Sequence, residues 1–129
     1  MKNVILVIFA LVLFISCKDE DVTPAPVISD VEVGSGESNS GKVARGGDLH
    51  IEAQVVAEGT IKEAEVHIHG AGWEHEIDFP DLVGKKNGEI HTHIHVPATA
   101  AVGHYHVHIS VTDQKGQTTE VEAELDITN

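Results

Sequence analysis

Thiol, thioether and aromatic side chains are scarce in this sequence. Its 129 residues include one cysteine and one methionine, and aromatic residues make up 4%. The single cysteine excludes a disulfide within the chain. Because Met1 is the only methionine, the folded part offers no thioether, and a site selective for Cu(I) is disfavoured.

Positive charge is also scarce. Eight Lys and Arg stand against 21 Asp and Glu, which gives a net charge of −13 when the histidines are neutral. This balance argues against binding to nucleic acid and against docking on anionic lipid headgroups. It suits a soluble surface that attracts cations.

Long apolar runs are confined to the N-terminus. Val4–Ile15 is a continuous apolar stretch behind Lys2, too short to cross a bilayer as a helix and typical of a signal-peptide core. It is followed by Ser16 and Cys17, a small residue before a cysteine, which resembles a bacterial lipobox. The resemblance implies that residues 1–16 are a lipoprotein signal peptide and that Cys17 is acylated as a lipid anchor.

Lys18–Asp21 resembles the export signal that carries lipoproteins of Bacteroidota to the outer membrane. Residues 17–26, which end in a Pro-containing spacer, are expected to form a flexible tether. We therefore expect an outer-membrane lipoprotein with one folded domain, residues 27–129. The sequence leaves open whether this domain faces the periplasm or the cell surface.

Beyond the tether, apolar and polar residues alternate with a period of two, and Gly, Asn, Asp and Pro interrupt the pattern. This is typical of an all-β fold, and we predict an Ig-like β-sandwich of about seven antiparallel strands. The Gly- and Ser-rich residues 34–47 are predicted to be a loop. The predicted strands are Val27–Val33, Leu49–Ala57, Ile61–His69, Trp73–Phe79, Glu89–Val96, His104–Thr112 and Gln117–Ile127.

Eight of the ten histidines fall in three alternating runs. Residues two apart on a strand share a face, so each run presents a row of imidazoles on one side of its strand. Imidazole is the commonest protein ligand for zinc and copper. The predicted metal ligands are His67, His69, His91, His93, His95, His104, His106 and His108.

The last two predicted strands can be aligned through the loop that joins them. Asp113–Gln117 fits a three-residue hairpin loop with Gly116 in the left-handed position. Pairing the two ends of this loop makes every facing pair agree in orientation, which supports the alignment. Three His–carboxylate pairs follow: His104–Asp126, His106–Glu124 and His108–Glu122.

An Ig-like arrangement gathers the outward histidines into two clusters. The first combines the runs at 67–69 and 104–108 with carboxylates of the last strand. The second places the run at 91–95 beside His50 and Glu52. His75 falls on an apolar face and is interpreted as a packed histidine, with a place in the first cluster as the alternative. Possible additional ligands are therefore His50, His75, Glu122 and Glu124.

Residues 94–116 resemble the strand, Pro-Ala crossover and Gly-x-Tyr strand opening of bacterial Ig-like domains, with Tyr105 at the position of their buried corner tyrosine. Arg45–Leu49 resembles the entry to the second strand of those domains. With its added histidines, the chain is similar to a Bacteroidota family of His-rich Ig-like lipoproteins catalogued as a domain of unknown function. That resemblance implies a fold and little about activity.

These features favour a non-enzymatic lipoprotein that binds Zn²⁺ or Cu²⁺ for metal capture or homeostasis, with an outer-membrane receptor as a possible partner. One alternative is an accessory module of a surface nutrient-uptake complex, whose His and Glu face is tuned by pH. A metalloenzyme is less favoured. Carbonic anhydrases and copper–zinc superoxide dismutases place His-x-His on strands, but we find no recognisable general base or pocket here, nor the dismutase disulfide.

Overall fold

A computed structural model describes residues 22–129, so the predicted signal peptide, Cys17 and the first half of the tether lie outside the described residues. Within this range no helix has the length and apolarity needed to span a membrane. The strands are β1 Val27–Ser35, β2 Lys42–Ala44, β3 Asp48–Val56, β4 Ile61–Gly70, β5 His75–Asp78, β6 Asn87–His95, β7 Gly103–Asp113 and β8 Thr118–Thr128, with a 3₁₀ turn at Pro80–Leu82.

The strands form two sheets, ordered β1-β3-β6 and β2-β8-β7-β4-β5. The all-β prediction is confirmed. β7 lies between β4 and β8, so the histidine runs at 67–69 and 104–108 share one sheet with the carboxylates of the last strand, as the first predicted cluster requires. The described part of the chain has eight strands rather than seven. The additional strand, β2, lies inside the predicted loop 34–47 and pairs parallel with the end of β8. The sequence did not predict β2 because a strand of three residues is too short to show a period-two pattern.

The hairpin of β7 and β8 has the predicted register. His104, His106 and His108 pair with Asp126, Glu124 and Glu122, respectively. Gly116 has a positive φ of 84°, as the loop type requires. Asp113 is fully buried at the start of the loop, where its Oδ1 accepts hydrogen bonds from the backbone N–H groups of Lys115 and Gln117.

Alternate residues of both sheets fill the space between them, and the aliphatic side chains of β3, β4, β6 and β7 form most of the buried core. Tyr105 is fully buried, and its hydroxyl donates a hydrogen bond of 2.8 Å to the carbonyl of Ala101. This contact is the tyrosine corner of Ig-like domains. Because the inner faces are filled, the alternating histidines are directed to the two outer faces.

A β-bulge in β1 shapes the outer face of the three-stranded sheet. Ser29 pairs with Gln54 while Glu32 pairs with Glu52, so two residues of β1 oppose one residue of β3. Asp30 absorbs the irregularity with a positive φ of 51°. The extra residue inverts the alternation, so that Val33 enters the core and Glu32 lies on the outer face.

Candidate metal centre

The outer face of the three-stranded sheet, here called face A, brings three imidazoles together. His50 and His93 pair across β3 and β6, and His91 is two residues from His93 on the same strand. The ring centroids are 5.2 Å apart for His50 and His91, 5.1 Å for His50 and His93, and 5.3 Å for His91 and His93. One ring nitrogen from each lies within 4.8 Å of the others, which is a spacing suited to three ligands of one metal ion.

His50 is buried although it lies on an outer face. Its side chain is 2% exposed, and neither ring nitrogen has a hydrogen-bond partner in the described structure. The carboxylates of Glu52 and Glu32 lie 3.5 and 3.7 Å from its Nε2, and neither contact is a hydrogen bond. Face A therefore holds a buried imidazole that lies near two carboxylates but makes no hydrogen bond with either.

A loop lies next to His50 on this face. Gly34 pairs with His50 across β1 and β3, so a side chain at position 34 would lie on the same outer face. A Cβ atom there would stand 2.5 Å from the carbonyl oxygen of Ser38 and 2.7 Å from the backbone nitrogen of Ser40. The loop therefore fills the space that a side chain would take, directly beside His50.

The outer face of the five-stranded sheet, here called face B, is arranged differently. Four of its imidazoles lie within 2.9 Å of a carboxylate oxygen. The exposed ring of His104 has a carboxylate at each nitrogen, Glu124 at 2.6 Å and Asp126 at 2.9 Å. The remaining contacts are His67–Glu74 at 2.7 Å, His106–Glu122 at 2.6 Å and His108–Glu120 at 2.8 Å.

His69 is linked to another imidazole instead. Its Nε2 lies 2.9 Å from Nε2 of His108, and the two rings are stacked with centroids 4.9 Å apart. One of these nitrogens must carry the hydrogen and the other accept it, so the pair shares one proton across the sheet. Face B also holds a three-ligand group that contains imidazoles, His104 with His106 and Glu124.

The carboxylates that contact His104 raise its pKa above the ordinary value of 6.5. The largest cause is the hydrogen bond with Asp126, and the negative charge of Glu124 raises the pKa further. A raised pKa in the folded state means that protonated His104 stabilises the fold fully below the pKa of the unfolded chain. This stabilisation is lost as the pH rises through the folded-state pKa.

We expect an NMR titration of the metal-free protein to place the pKa of His104 above 6.5, and Asp126→Asn to lower it toward that value. Glu124→Gln should lower it by a smaller amount, because Glu124 contributes less. A titration curve of His104 that is identical in wild type and Asp126→Asn would contradict the hydrogen bond.

Three carboxylates without an imidazole, Glu63, Glu65 and Asp78, also lie close together on the β4–β5 side. Burial raises the pKa of Glu65, and the charges of Glu63, Glu76 and Asp78 raise it further. These groups therefore repel one another, and their pattern differs from the imidazole sites.

The structure separates the predicted ligands into several environments. His91 and His93 belong to the three-ligand group of face A, while His104 and His106 belong to that of face B. His95 is exposed and contacts Asp48 at 3.1 Å, outside the face A group. The other predicted residues, His67, His69, His108 and Glu122, lie on face B in the contacts described above.

His75 does not join face B, although β4 and β5 do form a hairpin. It pairs with Ile68, whose side chain is buried in the core, so it lies on the opposite side of the sheet from His67. Its ring stacks on Trp73 with centroids 5.6 Å apart. The interpretation of His75 as a packed histidine agrees with this placement, and its alternative place among the face B ligands does not.

Two acidic residues of face A were not among the predicted ligands. Glu32 lies on face A because of the bulge in β1, and the residue pattern of the sequence did not predict this bulge. Glu89 lies 3.4 Å from Nδ1 of His91, and its carboxylate accepts a hydrogen bond of 2.9 Å from Nε2 of Gln54. The period-two alternation did place Gln54 and Glu89 outward, so their pairing follows once β3 and β6 are aligned.

The fold and these two faces define an Ig-like β-sandwich with histidine-rich outer surfaces. The chain belongs to the family described as "Domain of unknown function (DUF4625)", whose model matches residues 15–128. This confirms the suspected relationship to a family of unknown function. No curated protein is significantly similar to it in sequence.

Solved structures share the fold at low sequence identity. OgpA from Akkermansia muciniphila superposes with a TM-score of 0.60 at 11% identity, over 83% of this chain and 30% of OgpA. A Niemann-Pick type C2 protein from the Japanese carpenter ant gives 0.57 at 13% identity, over 85% of this chain and 98% of its own. Spo0M, a sporulation control protein from Bacillus subtilis, gives 0.55 at 9% identity, over 82% and 50%. At identities this low, the similarity shows a common fold and gives no information about activity.

Proposed function

We propose that this protein is a membrane-anchored, non-enzymatic binder of divalent transition metal, Zn²⁺ or Cu²⁺, that serves metal capture or homeostasis. The observation that carries the proposal is the grouping of imidazoles on both outer faces. Each face has a set of three side chains whose ligand atoms lie within 4.8 Å of one another, His50–His91–His93 on face A and His104–His106–Glu124 on face B.

The setting of these groups supports capture. They stand on paired β-strands, which hold ligand side chains more precisely than loops do. Nitrogen and carboxylate oxygen together suit Zn²⁺ and Cu²⁺. The net charge of −13 attracts cations to the surface. With Cys17 acylated, the protein would hold metal at the outer membrane, where a receptor can take it up.

Calorimetric titration of the metal-stripped protein with Zn²⁺ and Cu²⁺ at pH 7.4 tests the proposal. A Cys17→Ser background removes the only thiol as a competing ligand. We expect micromolar or tighter binding of more than one ion per chain, and a lower stoichiometry when His104, His106 and His108 are changed to Gln. Absence of binding by the unsubstituted protein would refute metal capture. Superoxide turnover by the copper-loaded protein would refute a purely binding role.

The His–carboxylate contacts of face B favour a second function, a pH-tuned interaction surface in an uptake complex. His104 lies between two carboxylates and His106 contacts Glu122, so protonation changes the charge of a surface that is already ordered. In this case association with an outer-membrane partner should change between pH 7.5 and 5.5 and should be insensitive to a chelator. Metal capture predicts sensitivity to the chelator.

A further inference from the structure

The two faces differ in what their imidazoles lack. On face B, His104, His106 and His108 already have carboxylate partners, so a metal ion must displace hydrogen bonds to bind there. On face A, His50 is buried with two unsatisfied ring nitrogens. An unsatisfied buried polar group is unfavourable, and native structures seldom keep one without a role or a partner.

The geometry of face A matches one particular coordination. For metal–nitrogen bonds of about 2.0–2.1 Å, a tetrahedral ion holds its nitrogen ligands ~3.3–3.4 Å apart and the centroids of their imidazole rings ~5.2 Å apart. The three centroid separations among His50, His91 and His93 are 5.1–5.3 Å. The Nε2 atoms of His91 and His93 are 3.3 Å apart, in a hydrogen bond that a metal ion would replace. The nitrogen of His50 lies within 4.8 Å of both, so these distances are compatible with tetrahedral ligation after small side-chain rotations.

Outer contacts orient the ligands. Glu89 approaches Nδ1 of His91, on the far side of the ring from the nitrogen that faces His93, and Gln54 holds this carboxylate through a hydrogen bond. At 3.4 Å this contact is not yet a hydrogen bond. A small shift of the carboxylate on metal binding would let it accept the N–H of Nδ1, which fixes the tautomer that exposes the other nitrogen to a metal. Glu32 and Glu52 add negative charge next to His50, which offsets the charge of an incoming dication.

We propose that face A is a preformed zinc site in which His50, His91 and His93 ligate one Zn²⁺ and leave the fourth position for water or a transferred ligand. This inference rests on the proposed metal-binding function and deepens it, because it assigns the first ion to face A and prefers tetrahedral Zn²⁺. Glu89 is a positioning residue that acts through His91. The open fourth position allows the ion to be handed on to another protein.

The test measures the first equivalent of Zn²⁺ by competition with a chelator, in the Cys17→Ser background. His50→Gln is expected to weaken this step at least 100-fold. The exposed ligand variant His93→Gln should do the same with little risk to folding. Glu89→Gln should weaken binding by about 10–100-fold, as loss of an outer partner does. His95→Gln is the matched control on the same strand and should leave the affinity unchanged.

Co²⁺ provides a readout that a merely structural role would not affect. Tetrahedral Co²⁺ absorbs visible light strongly, and we expect the first equivalent bound to wild type to show this absorption and His93→Gln to lack it. Equal first-step affinity in wild type, His50→Gln and His93→Gln, with loss only in the His104, His106 and His108 variant, would overturn the face A site and leave metal capture standing. Failure of the wild type to bind any metal would instead refute the proposed function itself.

Discussion

Zinc is expected to reverse the order of stability between the wild-type protein and a His50→Leu variant. Without metal, His50→Leu should raise the free energy of unfolding by about 1–3 kcal/mol, because leucine is similar in size and removes a buried imidazole with no hydrogen-bond partner. With zinc at 1,000 times its dissociation constant, the wild type should gain about 4.1 kcal/mol, which exceeds the advantage of the variant. The variant should gain nothing from face A.

Denaturant unfolding with and without Zn²⁺ measures both halves of this expectation. His95→Leu serves as the control, since His95 is exposed and lies outside the three-ligand group. It should be close to wild type in both conditions. A metal-free His50→Leu variant that is less stable than wild type would show that the imidazole is satisfied in the apo state. Equal stabilisation by zinc in both proteins would place the metal elsewhere.

Such a reversal would mean that His50 is retained at a cost to the stability of the apo protein. Groups that destabilise a fold locally are common where function requires them. On face B the opposite holds, because His104 gains stabilisation from Asp126 and Glu124 when it is protonated. Metal should therefore bind first beside His50, which lacks partners, and reach the His104 group more readily as the pH rises through the raised pKa of His104 and its proton is released.

The register of the β7–β8 hairpin could be predicted from the sequence because its determinants are local. A loop of fixed length with Gly116 at its left-handed position sets which residues face each other. The alternation then fixes the face of every side chain on both strands. His104 contacts its predicted partner Asp126, whereas His106 and His108 reach diagonally to Glu122 and Glu120 rather than to the residues directly opposite them. The register therefore follows from these two facts, but the choice of side-chain partner does not.

The special position of His50 could not be predicted, since it depends on residues distant in sequence. Alternation placed it outward between Leu49 and Ile51, and that orientation is correct. The loop that packs on Gly34 lies next to His50, and the acidic neighbour Glu32 faces outward because of the bulge at Asp30. Bulges and loop packing carry no periodic signal, so the outer face looked uniformly polar in the sequence.

Gly34 provides a way to test the covering of His50 without touching a ligand. A Cβ atom at this position would meet the backbone of Ser38 and Ser40 at 2.5–2.7 Å, so Gly34→Ala must displace the loop. We expect a loss of about 1–3 kcal/mol in the free energy of unfolding, as for other overpacked sites. Zinc affinity should fall by on the order of tenfold, since a displaced loop leaves His50 hydrated and less fixed.

Two hydrogen bonds join the loop to Val33. The N–H of Gly41 donates to the carbonyl of Val33, and the N–H of Val33 donates to Oδ1 of Asn39. Hydrogen exchange at the amide of Gly41 therefore reports whether the loop has moved, and exchange should be faster in Gly34→Ala. Ser35→Ala, at the next and exposed position, is the matched control and should change neither exchange nor affinity. Faster exchange at Gly41 together with wild-type zinc affinity would separate the loop from the metal site. Loss of affinity in step with faster exchange would show that the loop keeps His50 in its ligating position.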